Sequence, residues 1–88
     1  MIDTKERAGL RNTIQDQIHN YLTSMKGEQI TDLYEMLMEQ VEPPLYQAVM
    51  ESSKYNQVRA ANILGISRGT LRAKLRKYFG DKYVGTRS

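Results

Sequence analysis

A chain of 88 residues is one domain by length, and one too short for its core alone to give more than marginal stability. It has no cysteine, a single histidine (His19) and no apolar run near the roughly 18 residues that cross a bilayer. Disulfides, thiolate metal sites and a membrane helix are therefore excluded, no catalytic set is evident, and no metal, cofactor or enzymatic activity is expected. A cytoplasmic chain supported by oligomerisation is the expectation. The net charge of +3 is unevenly placed: residues 1–53 carry four bases and nine acids, a net of −5, whereas residues 54–88 carry nine bases and one acid, a net of +8. The C-terminal part is suited to a polyanion and the N-terminal part is not.

Residues 1–9 are polar and aperiodic, and are read as a flexible arm. From Leu10 the apolar residues Leu10, Ile14, Ile18, Tyr21 or Leu22, and Met25 recur at three and four, the stripe of one helix, and Gly27 stands where a C-terminal glycine would end it. A second helix should begin near Thr31 or Asp32, with Asp32 and Glu35 resembling a capping box. At about 100° per residue, Leu33, Leu37, Val41, Leu45, Ala48 and Val49 fall in an arc of about 160°, joined by Tyr34 and Met38. Asp32, Glu35, Glu39, Glu42 and Gln47 lie opposite, and Met36, Tyr46 and Met50 break into that polar side. An arc this wide exceeds what one short neighbour covers, and it reads as an oligomer interface. Pro43-Pro44 interrupts the helix, but the spacing 33, 37, 41, 45 passes through without a phase change, so one kinked helix is favoured over two.

The chain then turns at Ser52-Ser53-Lys54-Tyr55, and Asn56 is a good N-cap for a third helix from about Gln57 to Leu64. Gly65 ends it. Ser67 caps a fourth helix running through Tyr78, after which Phe79, Gly80 and the rest read as a tail. The expected organisation is an arm over 1–9, interface helices over 10–53, a basic unit over 54–79 and a tail over 80–88.

That basic unit has the pattern of a helix-turn-helix. Ala61 supplies the small residue at a steep helix crossing, Gly65 the positive φ of the turn and Ile66 the apolar plug, and Leu71 and Leu75 bury the inner face of the second helix. The outer face keeps Arg68, Thr70, Arg72, Lys74, Arg76 and Lys77. Arg68, first on that helix, can pair two donors with O6 and N7 of a guanine, and it is the expected base reader. Thr70 can touch a thymine methyl or a phosphate, Lys74 can reach bases or backbone, and Arg72, Arg76 and Lys77 should clamp phosphates. Asn56, Gln57 and Arg59 open the first helix of the pair, whose N-terminal amides favour an anion, and should hold the backbone beside the groove. His19 and the methionines at 36, 38 and 50 read as surface, interface or core residues.

The chain resembles the Fis family (factor for inversion stimulation), bacterial nucleoid-associated proteins. The resemblance runs from Leu10 to about Tyr78 and rests on Thr31-Asp32-Leu33-Tyr34-Glu35, Glu42-Pro43-Pro44-Leu45, Asn56-Gln57, Arg59-Ala60-Ala61, Gly65-Ile66, Arg68-Gly69-Thr70-Leu71-Arg72 and Lys74-Leu75. The helix-turn-helix alone would also match the DNA-binding tails of NtrC-type enhancer-binding activators, so a detached output domain of that kind is the alternative; the upstream helix pair and the start at Met1 favour a free-standing Fis-like protein. The resemblance implies an all-α fold of four helices. Its first two form the core of an intertwined homodimer, with Ile14, Ile18, Leu22, Leu33, Leu37, Val41, Leu45 and Val49 at the interface, and its C-terminal helix-turn-helix binds DNA.

By the same resemblance, the two recognition helices sit closer than one DNA turn. DNA then bends, and A/T-rich site centres are preferred without being touched. The implied role is a nucleoid-associated regulator or activator of transcription with low sequence specificity, and RNA polymerase is a candidate further partner. Arg68, Thr70, Lys74, Asn56 and Arg59 match family DNA-contact positions. Ser67 stands where many members have Asn, caps the helix and reaches less far to a base. Ala73 stands where Lys is common, Val58 replaces a hydroxyl residue, and Tyr55 stands where Gly usually ends the kinked helix. The nine-residue arm is shorter than the β-hairpin arm with which some relatives activate invertases, so poor stimulation of inversion is expected.

Overall fold

The computed structural model describes residues 4–26 and 28–83. The chain divides into two compact units, residues 1–31 and residues 32–88. All regular structure among the described residues is helical: α1 Thr4–Ser24, α2 Leu33–Ser52, α3 Gln57–Leu64 and α4 Arg68–Phe79.

The first unit is α1. It starts at Thr4, so residues 4–9, expected as an arm, are helical, while residues 1–3 lie outside the described residues. Lack of apolar periodicity argued against a buried face, not against a helix. Lys5, Glu6, Arg7 and Ala8 are good helix formers, and Glu6 sits in the first turn, where the helix dipole favours an acid. Thr23 and Ser24 close the last turn by donating to the carbonyls of His19 (2.9 Å) and Tyr21 (2.7 Å). Gly27, the expected stop, is outside the described residues. The apolar stripe is exposed at Leu10, Ile14 and Leu22.

The second unit is the packed body. Asp32 stands before α2 in the left-handed region (φ 55°) and makes no side-chain cap. This overturns the capping-box reading: a capping side chain reaches forward to the N–H groups of the first turn from an extended backbone, and a short polar residue also tolerates the left-handed one. Its carbonyl still accepts from Met36 N–H at 3.1 Å. α2 runs unbroken through Pro43 and Pro44. The carbonyls of Glu39 and Gln40 lose their helical donors there, and both residues are exposed to water, so the register survives.

α2 ends in a Schellman motif, with Tyr55 N–H to Met50 O at 2.7 Å and Lys54 N–H to Glu51 O at 3.1 Å. Lys54 (φ 57°) and Tyr55 (φ 66°) are both left-handed, a conformation that costs a residue with a Cβ about 1–2 kcal/mol. Asn56 caps α3, its Oδ1 accepting from Arg59 N–H at 3.0 Å. Gly65 (φ 73°) closes α3 in a second Schellman motif, with Ile66 N–H to Ala61 O at 3.1 Å and Gly65 N–H to Asn62 O at 3.2 Å. Ser67 caps α4, its Oγ accepting from Thr70 N–H at 3.1 Å.

The core consists of Tyr46, Met50, Ala60, Ala61, Leu71, Leu75 and Tyr83, with Val49, Leu64, Ile66, Tyr78 and Phe79 packed around it. Two corrections follow. Tyr46 and Met50, expected as apolar intrusions on a polar side, form the face by which α2 packs on the helix-turn-helix. The tail read over 80–88 is folded at its start, because Gly80 (φ 59°) turns the chain and Tyr83 is buried; residues 84–88 lie outside the described residues. α2 therefore has two apolar faces. The inner one is used within the unit, and the outer one leaves Tyr34, Val41 and Leu45 exposed.

Candidate nucleic-acid interface

α4 presents its outer side to solvent. At about 100° per residue, Leu71, Leu75 and Tyr78 lie on the inward side and Gly69 and Ala73 lie opposite. Arg68, Arg72 and Arg76 follow one flank of this outward strip, and Thr70, Lys74 and Lys77 follow the other. A strip of small residues between two rows of cations lets a helix approach a groove closely while its edges meet phosphates. All of these residues are exposed except Lys74. No acid occurs between Gln57 and Gly80. Ser67 Oγ donates to Thr70 Oγ1 at 2.9 Å, which fixes the Thr70 hydroxyl over the first turn. Arg59 is exposed at the head of α3.

Two expected contact residues are engaged elsewhere. Gln57 is only 5 % exposed, and its Nε2 donates to the Tyr83 carbonyl at 3.4 Å. Its side chain serves the fold, leaving its backbone amide as the group that could meet an anion. Lys74 Nζ lies 3.1 Å from Glu42 Oε1, with both side chains partly buried. The Tyr78 hydroxyl donates to the same Glu42 oxygen. The Tyr46 and Tyr78 rings stack at 6.3 Å, and Lys77 Nζ lies 5.1 Å from the centre of the Tyr78 ring. Lys74 thus acts first as a tie between α4 and α2, where it was expected to reach for DNA.

The Glu42 carboxyl is held below its ordinary range by the Tyr78 hydrogen bond and then by Lys74, so it is ionised at neutral pH. The Tyr78 phenol is pushed up to about 12 because its proton is shared with that carboxylate. A raised phenol pKa gives stability that is complete below the ordinary value of 10.0 and is lost as pH climbs through about 12. The lowered carboxyl gives stability that is present above its ordinary 4.5 and is lost as pH falls through the lowered value. Base titration followed by tyrosinate absorbance should show two late-ionising phenols, Tyr78 and the buried Tyr46, and Glu42→Gln should move Tyr78 back toward 10. An unchanged titration in that variant would remove Glu42 as the cause.

Glu42 was missed as a partner of α4 because it was counted only among the acids. The usable signal was the stripe Glu42, Tyr46, Val49 or Met50, and Ser53, which steps by three and four along one face. An open cleft of about 410 Å³ beside it is lined by Tyr34, Glu35, Met38, Glu39, Glu42, Lys74, Lys77 and Tyr78. Its three carboxylates disfavour phosphate, whereas the outward strip of α4 carries exposed cations. Among the described residues no group of His, Cys, Asp and Glu is arranged to hold a metal, and no helix is long and apolar enough to cross a membrane.

Comparison with known proteins agrees with this geometry. A family model for "Bacterial regulatory protein, Fis family" matches residues 37–78, from the middle of α2 through Tyr78. The chain is 46% identical over 69 residues to the "DNA-binding protein Fis" of Haemophilus influenzae, an alignment spanning 78% of this chain and 70% of the relative. It is 45% identical over 69 residues, with the same coverage, to the proteins of that name from Vibrio cholerae and Aliivibrio fischeri. The sequence motifs, the four helices and these relatives agree, and the chain belongs to the Fis family of bacterial regulatory proteins.

Proposed function

We propose that the chain is a homodimeric DNA-binding and DNA-bending regulator of transcription, associated with the bacterial nucleoid, of low sequence specificity and with a preference for A/T-rich site centres. The observation that carries this reading is the outward strip of α4, exposed cations flanking Gly69 and Ala73 on a helix that follows a Gly65 turn. Arg68 reads a guanine edge. Thr70 touches a base methyl or a phosphate. Arg72, Arg76 and Lys77 hold phosphates, as do Arg59 and the first amides of α3. Ser67 and Asn56 act mainly as caps that aim these groups.

Pairing is supported by the apolar surface left over. Ile14, Leu22, Val41 and Leu45 are about two-fifths exposed (43%, 38%, 41% and 42%). Ile18, Leu33 and Leu37 are half-buried along the same stripes, whereas Val49, expected at the interface, packs against the unit's own core. A lone helix with α1's exposed stripe is marginal in water, so a partner surface is needed to hold it. Two copies of the chain paired through α1 and α2 would set their recognition helices at a fixed separation. A separation shorter than one DNA turn forces the duplex to bend, at a cost that depends on the central sequence.

The test is affinity for an A/T-centred duplex measured across salt. Neutralising several phosphates should weaken binding by about three decades or more between ~50 and ~200 mM monovalent salt. Binding that ignores salt, or no binding at low salt, would reject the reading.

A further inference from the structure

We propose that Tyr83 is a positioning residue for DNA binding, a brace that holds the capped start of α3 from both sides of Asn56. The proposal rests on the DNA-binding reading above. Asn56 is the cap of α3, and its Oδ1 takes the N–H of Arg59, the exposed cation of that helix. On one side of it stands Tyr55, a bulky residue at φ 66°, where the backbone favours glycine. On the other stands Gln57. Tyr83 grips both. Its ring stacks on Tyr55 (centroids 6.2 Å, planes 28° apart), and its carbonyl accepts from Gln57 Nε2 at 3.4 Å.

Tyr83 is itself held in place. It is 4 % exposed, and its ring meets Phe79 edge-on at 5.3 Å. Lys82 Nζ lies 5.6 Å and 5.4 Å from the Phe79 and Tyr83 ring centres. The turn at Gly80 and the bond from Lys82 N–H to Phe79 O (3.1 Å) bring the chain back to make these contacts. The brace lies beyond Tyr78, where the family match ends. The left-handed Tyr55 and the segment that supports it are thus paired: the ring contact offsets a backbone conformation that Tyr would not keep alone.

The experiment measures two quantities in the full chain: affinity for a labelled A/T-centred duplex, and hydrogen exchange at the Arg59 amide, which reports the Asn56 cap without DNA. Tyr83→Ala should lower affinity about ten-fold, the equivalent of the left-handed cost it uncovers at Tyr55, and speed exchange at Arg59. Adding Tyr55→Gly removes that cost, so the double variant should regain cap protection and most of the affinity. Tyr55→Gly alone should leave both near wild type. The proposal is overturned if Tyr83→Ala changes neither quantity, or if Tyr55→Gly restores neither, since a core-filling role alone would not be rescued by relieving the backbone at residue 55. If Tyr83→Ala does not fold, the double variant must fold and bind, and its failure overturns the proposal. Wild-type chain that fails to bind the duplex counts against the DNA reading alone, and the Arg59 exchange still decides the role of Tyr83.

Discussion

Arg68→Ala is expected to lower affinity for a site carrying its guanine by about 1–3 kcal/mol, roughly five- to over a hundred-fold, and to leave binding to unrelated duplexes much less affected. The residue is exposed at the first position of α4, and the cap above it is made by Ser67 and Thr70. Ala is the strongest helix former, so the fold should not suffer. The comparison that gives the result meaning is Arg76→Ala or Lys77→Ala. Loss of a phosphate contact weakens all duplexes alike and reduces the salt slope by about one per contact, hence by about two when both copies carry the substitution. Equal loss on specific and unrelated duplexes would demote Arg68 to a phosphate contact, and no loss would take it off the interface.

Val41→Asp should separate the two copies. Within one chain Val41 is 41% exposed, so a carboxylate there stays hydrated and costs the unit little. Across a packed pair the same carboxylate would be buried without a partner, a penalty of several kcal/mol, felt twice by symmetry. Light scattering should then report the 10.2 kDa chain in place of twice that mass. Duplex affinity should fall by about a hundred-fold or more, because two linked reading helices become two independent ones. A folded Val41→Asp chain that still pairs would show that this face of α2 is not where copies meet.

The local grammar of the DNA-facing half was readable in the sequence. Asn56, Gly65 and Ser67 act as the cap, turn and cap that their chemistry requires, and Leu71 and Leu75 are buried as their spacing implies. These features depend on residues within one turn of each other. Most of the misreadings involve partners far along the chain. Tyr46 and Met50 looked out of place because a single hydrophobic arc was assumed, whereas a helix with neighbours on two sides has two. Glu42 meets Lys74 and Tyr78 from 32 and 36 residues away, a pairing no helical spacing encodes. Gln57 looked like a surface amide because its acceptor, the Tyr83 carbonyl, is 26 residues on. Asp32 shows the opposite limit: the right residue at the right spacing fails to cap when the backbone before it turns left-handed.

The single Glu42 oxygen that accepts from both Lys74 and Tyr78 has a mechanical meaning. It pins the middle of the reading helix to the same rod whose far face is free for a second copy, and the shared core pins the rest. No flexible tether intervenes between grip and pivot. A duplex held by two such grips in the proposed pair would not relax by swinging them; an added base pair would shift one half-site by about 3.4 Å and about 35°, which grips fixed in this way would not follow. In the proposed dimer the elastic strain would then be stored in the nucleic acid, and the carboxylate rivet between α2 and α4 would turn binding energy into curvature of the bound molecule.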